Sequence, residues 1–185
     1  MSEAGRLPLV DADARDDAFG AVFDRFREAG HEVPVLYRAL ANAPAMLNAW
    51  VAMAWPLRHD ATTSRALREL VIMRVAQLTK TPYEWISHRP AALKYGITES
   101  QLADLHAWAH SDRFTAAERE VLALADAITE QIEVPDDVWA PLAVRYGPGE
   151  LVELILTAAF YACVSRTLRA LALPVDTSHP DLTGF

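Results

Sequence analysis

The sequence is poorest in cysteine: among 185 residues there is one, Cys163. A single thiol excludes an intrachain disulfide and a Cys-x-x-Cys site, and with them dithiol redox chemistry, and it suits a reducing, cytoplasmic setting. Glycine is scarce as well, and none of the seven falls in a Gly-rich phosphate loop. Positive charge is in deficit, with 17 Lys and Arg against 25 Asp and Glu, and no basic block breaks the formal charge of −8. A nucleic-acid partner would ask for the opposite sign. The opening residues "MSEAGRLPLVDADARDD" have neither the basic start nor the apolar run of a signal peptide. The richest apolar segment, "LVELILTAAFYACVSRTLRALAL", is interrupted by Glu153, Arg166 and Arg169, so a soluble protein without a membrane partner is expected. Alternating strand patterns are absent too.

What is present has helical period nearly throughout. "DDAFGAVFDRFREAG" puts Phe19, Val22, Phe23 and Phe26 on one side and ends at Gly30. "PVLYRALANAPAMLNAWVAMAWPL" reads as two pieces parted near Asn42–Pro44. "TESQLADLHAWAHS" and "FTAAEREVLALADAITE" each open on a capping box, Thr98 with Gln101 and Thr115 with Glu118. The expected fold is an all-α, single-domain bundle over residues 1–185, roughly seven or eight helices with short links. The last long helix is apolar around most of its circumference and must be surrounded, which favours a homo-oligomer. The closing "PVDTSHPDLTGF" is an irregular tail that could lie across a neighbouring subunit.

The informative residues are polar ones set in apolar faces. In "SRALRELVIMRVAQL", Glu69 shares a face with Ile72, Met73 and Ala76, and Arg74 shares another with Leu67, Leu70, Val71 and Leu78. Charges in such stripes are expensive unless paired. For Arg74 a buried structural pair, with Arg166 or Glu153 in the network, stands beside a substrate-binding role. The next helix, "TPYEWISHRPAALKYG", has Thr81 as N-cap, Pro82 at its first position and Gly96 at its end. Thr81, Glu84 and His88 fall at i, i+3 and i+7 on one face. Only "TKTP" separates the two helices, so they should pack antiparallel. If Glu69 meets the Glu84/His88 face, two carboxylates and an imidazole share a desolvated pocket, the setting in which acid–base groups are tuned. An exposed Glu-x-x-x-His pair would account for the spacing alone.

The stretch "RALRELVIMRVAQLTKTPYEWISHRPAALKYGITESQL", with "FTAAEREVLALADAITEQIEVPDDVWAPLAVRYGPGELVELILTAAFYACVSRTLRAL" after it, resembles the carboxymuconolactone decarboxylase family, relatives of alkylhydroperoxidase D, over residues 45–173. The resemblance implies a helical bundle assembling as trimers or hexamers. In the alkylhydroperoxidase branch a glutamate on one helix is followed by Cys-x-x-Cys-x-x-x-His on the next. Here the glutamate matches Glu69 and the histidine His88, while Thr81 and Glu84 stand at the cysteine positions, so thiol peroxidase chemistry is not expected. The last helix carries Ala162 and Arg169 where relatives show asparagines, so the substrate does not carry over.

Three functions follow. The first is cofactor-free decarboxylation, lyase or isomerase chemistry on a small acidic or lactone metabolite, with Glu69, Glu84 and His88 catalytic. Arg74 or Arg68 would bind a carboxylate, Thr81 would line the pocket, and Tyr83, Trp85 and Trp55 would wall it. The second is a metal held by Glu69, Glu84 and His88. The third is a small-ligand-binding oligomer without catalysis. His106 and His110 read as solvated, and Cys163 as an inert small hydrophobe.

Overall fold

The computed structural model describes residues 5–175 and residue 185, which group into two compact units. One takes its described residues from those up to Asp60 and from Leu168–Pro174; the other begins at Ala61, runs to Thr167 and takes up the chain again from Val175. Among the described residues there are nine α-helices and no strand. The two pieces expected around Asn42–Pro44 stand as separate helices, and the total exceeds the seven or eight expected.

The first unit is built on α1 (Gly20–Glu28), α2 (Val35–Leu40) and α3 (Pro44–His59). Phe23 and Leu47 are fully enclosed, with Phe19, Val22 and Tyr37 around them. The expected break between α2 and α3 is where the Asn42 amide leaves the helix to donate to the Pro8 carbonyl at 2.8 Å. The segment ahead of α1 is tied down by guanidinium groups: Arg38 Nε donates to Val10 O and Arg27 Nη1 to Ala12 O, each at 2.8 Å.

The second unit surrounds α4 (Arg65–Leu78), which is buried without interruption from Arg68 to Ala76. Against it lie α5 (Pro82–Lys94) and α7 (Ala116–Asp126), with α6 (Glu99–Asp104) and α8 (Asp136–Arg145) completing the shell. Both capping boxes form as expected, at Thr98/Gln101 and Thr115/Glu118. α9 (Pro148–Leu171) is the one described helix long and apolar enough to cross a membrane, but over half of its apolar window is buried in the protein. Its Glu153 accepts from the Thr62 and Thr63 N–H groups at 2.9 and 2.8 Å, satisfying donors just ahead of α4. Burial pushes that carboxyl up, and the two threonines outweigh it, leaving it below the ordinary carboxylate range.

Two runs expected as single helices change geometry. The one opening at Thr98 tightens into a 3-10 segment at Leu105–His110, where Ala107 leaves helical angles and Arg74 Nη1 takes the Leu105 carbonyl at 3.3 Å. The one opening at Thr115 widens to a π turn at Ala127–Gln131, closed by Ile132 at φ 72°. Cys163 is exposed on α9, not enclosed as a core residue. The greater part of the irregular tail, residues 176–184, lies outside the described residues.

Candidate functional site: an imidazole between two carboxylates

The link from α4 to α5 sets the site. Thr79 closes α4, Lys80 turns into the left-handed region at φ 51°, and the Lys80 and Thr81 N–H groups bond back to Gln77 O and Ala76 O. This capping motif reverses the chain within three residues. Thr81 then caps α5 through its backbone position, with Pro82 at the first turn and no side-chain cap bond. The Thr81 hydroxyl is buried and lies 3.1 Å from that of Thr79.

Folding α5 back on α4 brings Glu69, Glu84 and His88 together. His88 Nδ1 is 2.9 Å from Glu69 Oε2, and Nε2 is 3.6 Å from Glu84 Oε2. Glu69 is completely enclosed, Glu84 nearly so, and His88 keeps 8 % of its surface. The other oxygen of Glu69, Oε1, is held by Arg65, one turn earlier on α4. Burial by itself pushes the Glu69 carboxyl up; the His88 hydrogen bond and charge and the Arg65 guanidinium together reverse that and hold it below the usual carboxylate range.

The consequence for the imidazole is chemical. An ionised carboxylate only accepts hydrogen bonds, so Nδ1 is the protonated nitrogen and Nε2 is left to exchange a proton on the Glu84 side. The ring itself is held edge-to-face by Tyr161 of α9, with centroids 4.9 Å apart at 87°.

The other expected site residues are placed differently. Trp85 is fully buried on α5, the helix of Glu84 and His88, its ring 5.6 Å from that of Phe185, and Tyr83 is half-buried on the same helix. Arg74 turns to Asp126 of α7: Nε and Nη2 donate to the two carboxylate oxygens at 2.6 and 3.0 Å, and Trp108 Nε1 adds a third donor at 3.1 Å. Arg74 is therefore a structural clamp whose partner is neither Glu153 nor Arg166. Arg166 bonds the Ala162 carbonyl in its own helix. Arg68 is tied to Thr63. Trp55 belongs to the first unit, on α3. His106 and His110 are exposed, as expected.

Two residues of the cluster were not singled out in the sequence. Arg65 had a signal, the i,i+4 spacing to Glu69, which was legible had its face been known to turn inward. Tyr161 had none, because its place beside His88 comes only from how α9 lies on α5. A metal at the trio fits poorly. Both Glu69 oxygens are engaged, one by a cation, and among the described residues no three His, Cys, Asp or Glu side chains are arranged to hold an ion.

An all-helical chain carrying this cluster on two reversed helices has the alkylhydroperoxidase D-like fold. It superposes on the alkylhydroperoxidase AhpD core of an uncharacterized peroxidase-related protein from Ralstonia eutropha with a TM-score of 0.80 and 16 % identity, covering 98 % of this chain and 97 % of that one. The debrominase Bmp8, in complex with 2,3,4-tribromopyrrole, matches with a TM-score of 0.76 and 16 % identity over 99 % and 96 % of the two chains. At such identities the likeness is one of fold. By sequence, the model of the carboxymuconolactone decarboxylase family matches residues 44–127. The uncharacterized protein YdfG of Bacillus subtilis (strain 168) is 31 % identical over 99 residues, 52 % of this chain and 67 % of that protein. The chain belongs to the carboxymuconolactone decarboxylase family.

Proposed function

We propose that the protein is a cofactor-free acid–base enzyme that decarboxylates, or otherwise cleaves or isomerises, a small acidic or lactone metabolite. The observation that supports this reading is His88 held by Glu69 through Nδ1 with Nε2 facing Glu84. In decarboxylation the bond to the carboxylate breaks, carbon dioxide leaves, and the electron pair stays on the adjacent carbon as an enolate. Nε2, first loaded with a proton that Glu84 relays from solvent, donates it to that carbon and returns to the Nδ1–H tautomer. Glu69 and Arg65 keep the ring in one tautomer and orientation throughout, and Tyr161 restrains its tilt. A thiol route is unsupported: Thr81 and Glu84 stand at the two cysteine positions of the peroxidase branch, and Cys163 lies on another helix. The working form in this reading is a cytoplasmic homo-oligomer.

The test is turnover of a panel of carboxylated γ-lactones and β-keto acids in D2O, followed by NMR. A substrate of this enzyme should yield product bearing deuterium at the carbon that lost carbon dioxide or moved its proton. His88→Gln, which keeps an N–H for Glu69, should slow that reaction by about 10²–10⁴-fold, with unchanged circular dichroism. An undiminished rate in this variant, or no turnover of any panel member by the wild-type protein, refutes the proposal.

A further inference from the structure

The first unit contains a cavity of about 250 Å³ between α1, α2 and α3. Its walls are apolar and aromatic: Phe26 from α1, Tyr37 from α2, and Val51, Ala54 and Trp55 from α3. The Phe26 and Tyr37 rings lie 5.1 Å apart, and Trp55 stacks on His59 with centroids at 4.1 Å. Trp55, which the sequence offered as a wall for a ligand, is a wall of this space.

The polar groups of the cavity are nearly all of one kind. Arg25 and Arg58 line it together with the imidazoles of His31 and His59, and no lining residue is acidic. In a chain of formal charge −8 this is a local reversal of sign. The Arg25 guanidinium rests 5.0 Å over the Trp55 ring and makes no ion pair among the described residues. The acid beside it in sequence, Asp24, is taken by Arg15 at 3.0 Å and Arg27 at 2.7 Å. Arg58 Nη1 reaches the Tyr37 hydroxyl at 3.3 Å, which aims that guanidinium along the cavity wall.

We propose that this cavity binds a small aromatic carboxylate, its ring between Trp55, Phe26 and Tyr37 and its carboxylate on Arg25 and Arg58. The volume falls just below the roughly 300–1,000 Å³ of sites for drug-sized ligands, so it suits one ring with a short acid arm. Guanidinium groups offer paired donors in the plane a carboxylate presents, and the aromatic walls remove the ring from water. The ligand needs no part of the Glu69–Glu84–His88 cluster, so this inference and the acid–base reading stand or fall separately.

Calorimetric titration of the full chain with benzoate, phenylacetate and 3-phenylpropionate tests it. At least one acid should bind saturably at one site per chain. The matching amide, equal in shape but uncharged, should bind at least tenfold more weakly. Arg25→Gln alters an exposed side chain and should weaken the acid about tenfold while leaving the amide unchanged. Ala54→Leu fills the cavity and should abolish binding of both, with the melting temperature showing that the variant folds. Absence of saturable binding by all three acids overturns the proposal. So does an amide as tight as its acid, or binding that survives Ala54→Leu but is lost in His88→Gln.

Discussion

Glu69 is where burial and charge pull hardest against each other. A carboxylate with no exposed surface is tolerable because His88 and Arg65 each take one of its oxygens, and the balance leaves its folded-state pKa depressed. The sign for stability follows by linkage. Below the unfolded glutamate value of about 4.3, the unfolded chain binds a proton that the folded chain resists, so the contribution is complete above that value and is lost as pH falls through the depressed one. Glu69→Gln should therefore cost about 1–3 kcal/mol near neutral pH, and the difference from wild type should shrink below about pH 4. Urea unfolding at stepped pH reads both. A difference that grows on acidification contradicts the assignment. At this scale the sequence was legible for Glu69 and His88, whose types and spacing are unusual in apolar faces. Arg74 carried the same signal and was ambiguous, because a buried arginine looks alike whether it faces a substrate or an Asp126 fifty-two residues away.

The helix ends obey one rule with instructive exceptions. α1, α4, α5 and α9 all finish in the same pair of backward hydrogen bonds around a residue at positive φ. Glycine fills that position after α1 and α5, at Gly30 and Gly96, but Lys80 and Ala172 fill it after α4 and α9. A side chain there costs about 1 kcal/mol that glycine does not. Gly96→Ala should thus lower stability by about 1 kcal/mol or more, since φ 105° lies outside what alanine adopts readily even though a Cβ would meet open space. Lys80→Gly should raise it by up to about 1 kcal/mol. Thermal melts of the two variants should move in opposite directions; shifts of the same sign would show that the caps are not set by φ. Gly96 was legible as a stop because the residue type announces the conformation. The turn at Lys80 was legible only as a short link, since its residue type argues against the angle it takes. The runs after Leu105 and Ala127 had helical period, and in the first of them the bonds from Arg74 to the Leu105 carbonyl and from Trp108 to Asp126 overrode local preference.

For the whole molecule, the apolar surplus of α9 remains partly unburied. Val152 is 54 % exposed, and Ala159 and Cys163 are exposed seven and eleven residues on, along the same helical face. Contiguous apolar stripes of this kind mark contact surfaces. Light scattering coupled to size exclusion should give a mass that is a multiple of one chain, and Val152→Glu should reduce it. A wild-type monomer at micromolar concentration would contradict the homo-oligomer.

Composition and periodicity determined by themselves that the chain is helical, roughly where its helices begin and end, and that an intrachain disulfide and dithiol chemistry are outside its reach. These properties are local or additive: a 3.6-residue period, a capping box or a missing cysteine is complete within a few residues. Which nitrogen of His88 is held, that Arg65 and Tyr161 join it, that Arg74 serves Asp126, and that Trp55 lines a cationic cavity were decided by tertiary structure alone. Each depends on the direction of a side chain across a packed interface, and that direction is set by neighbours far away in sequence.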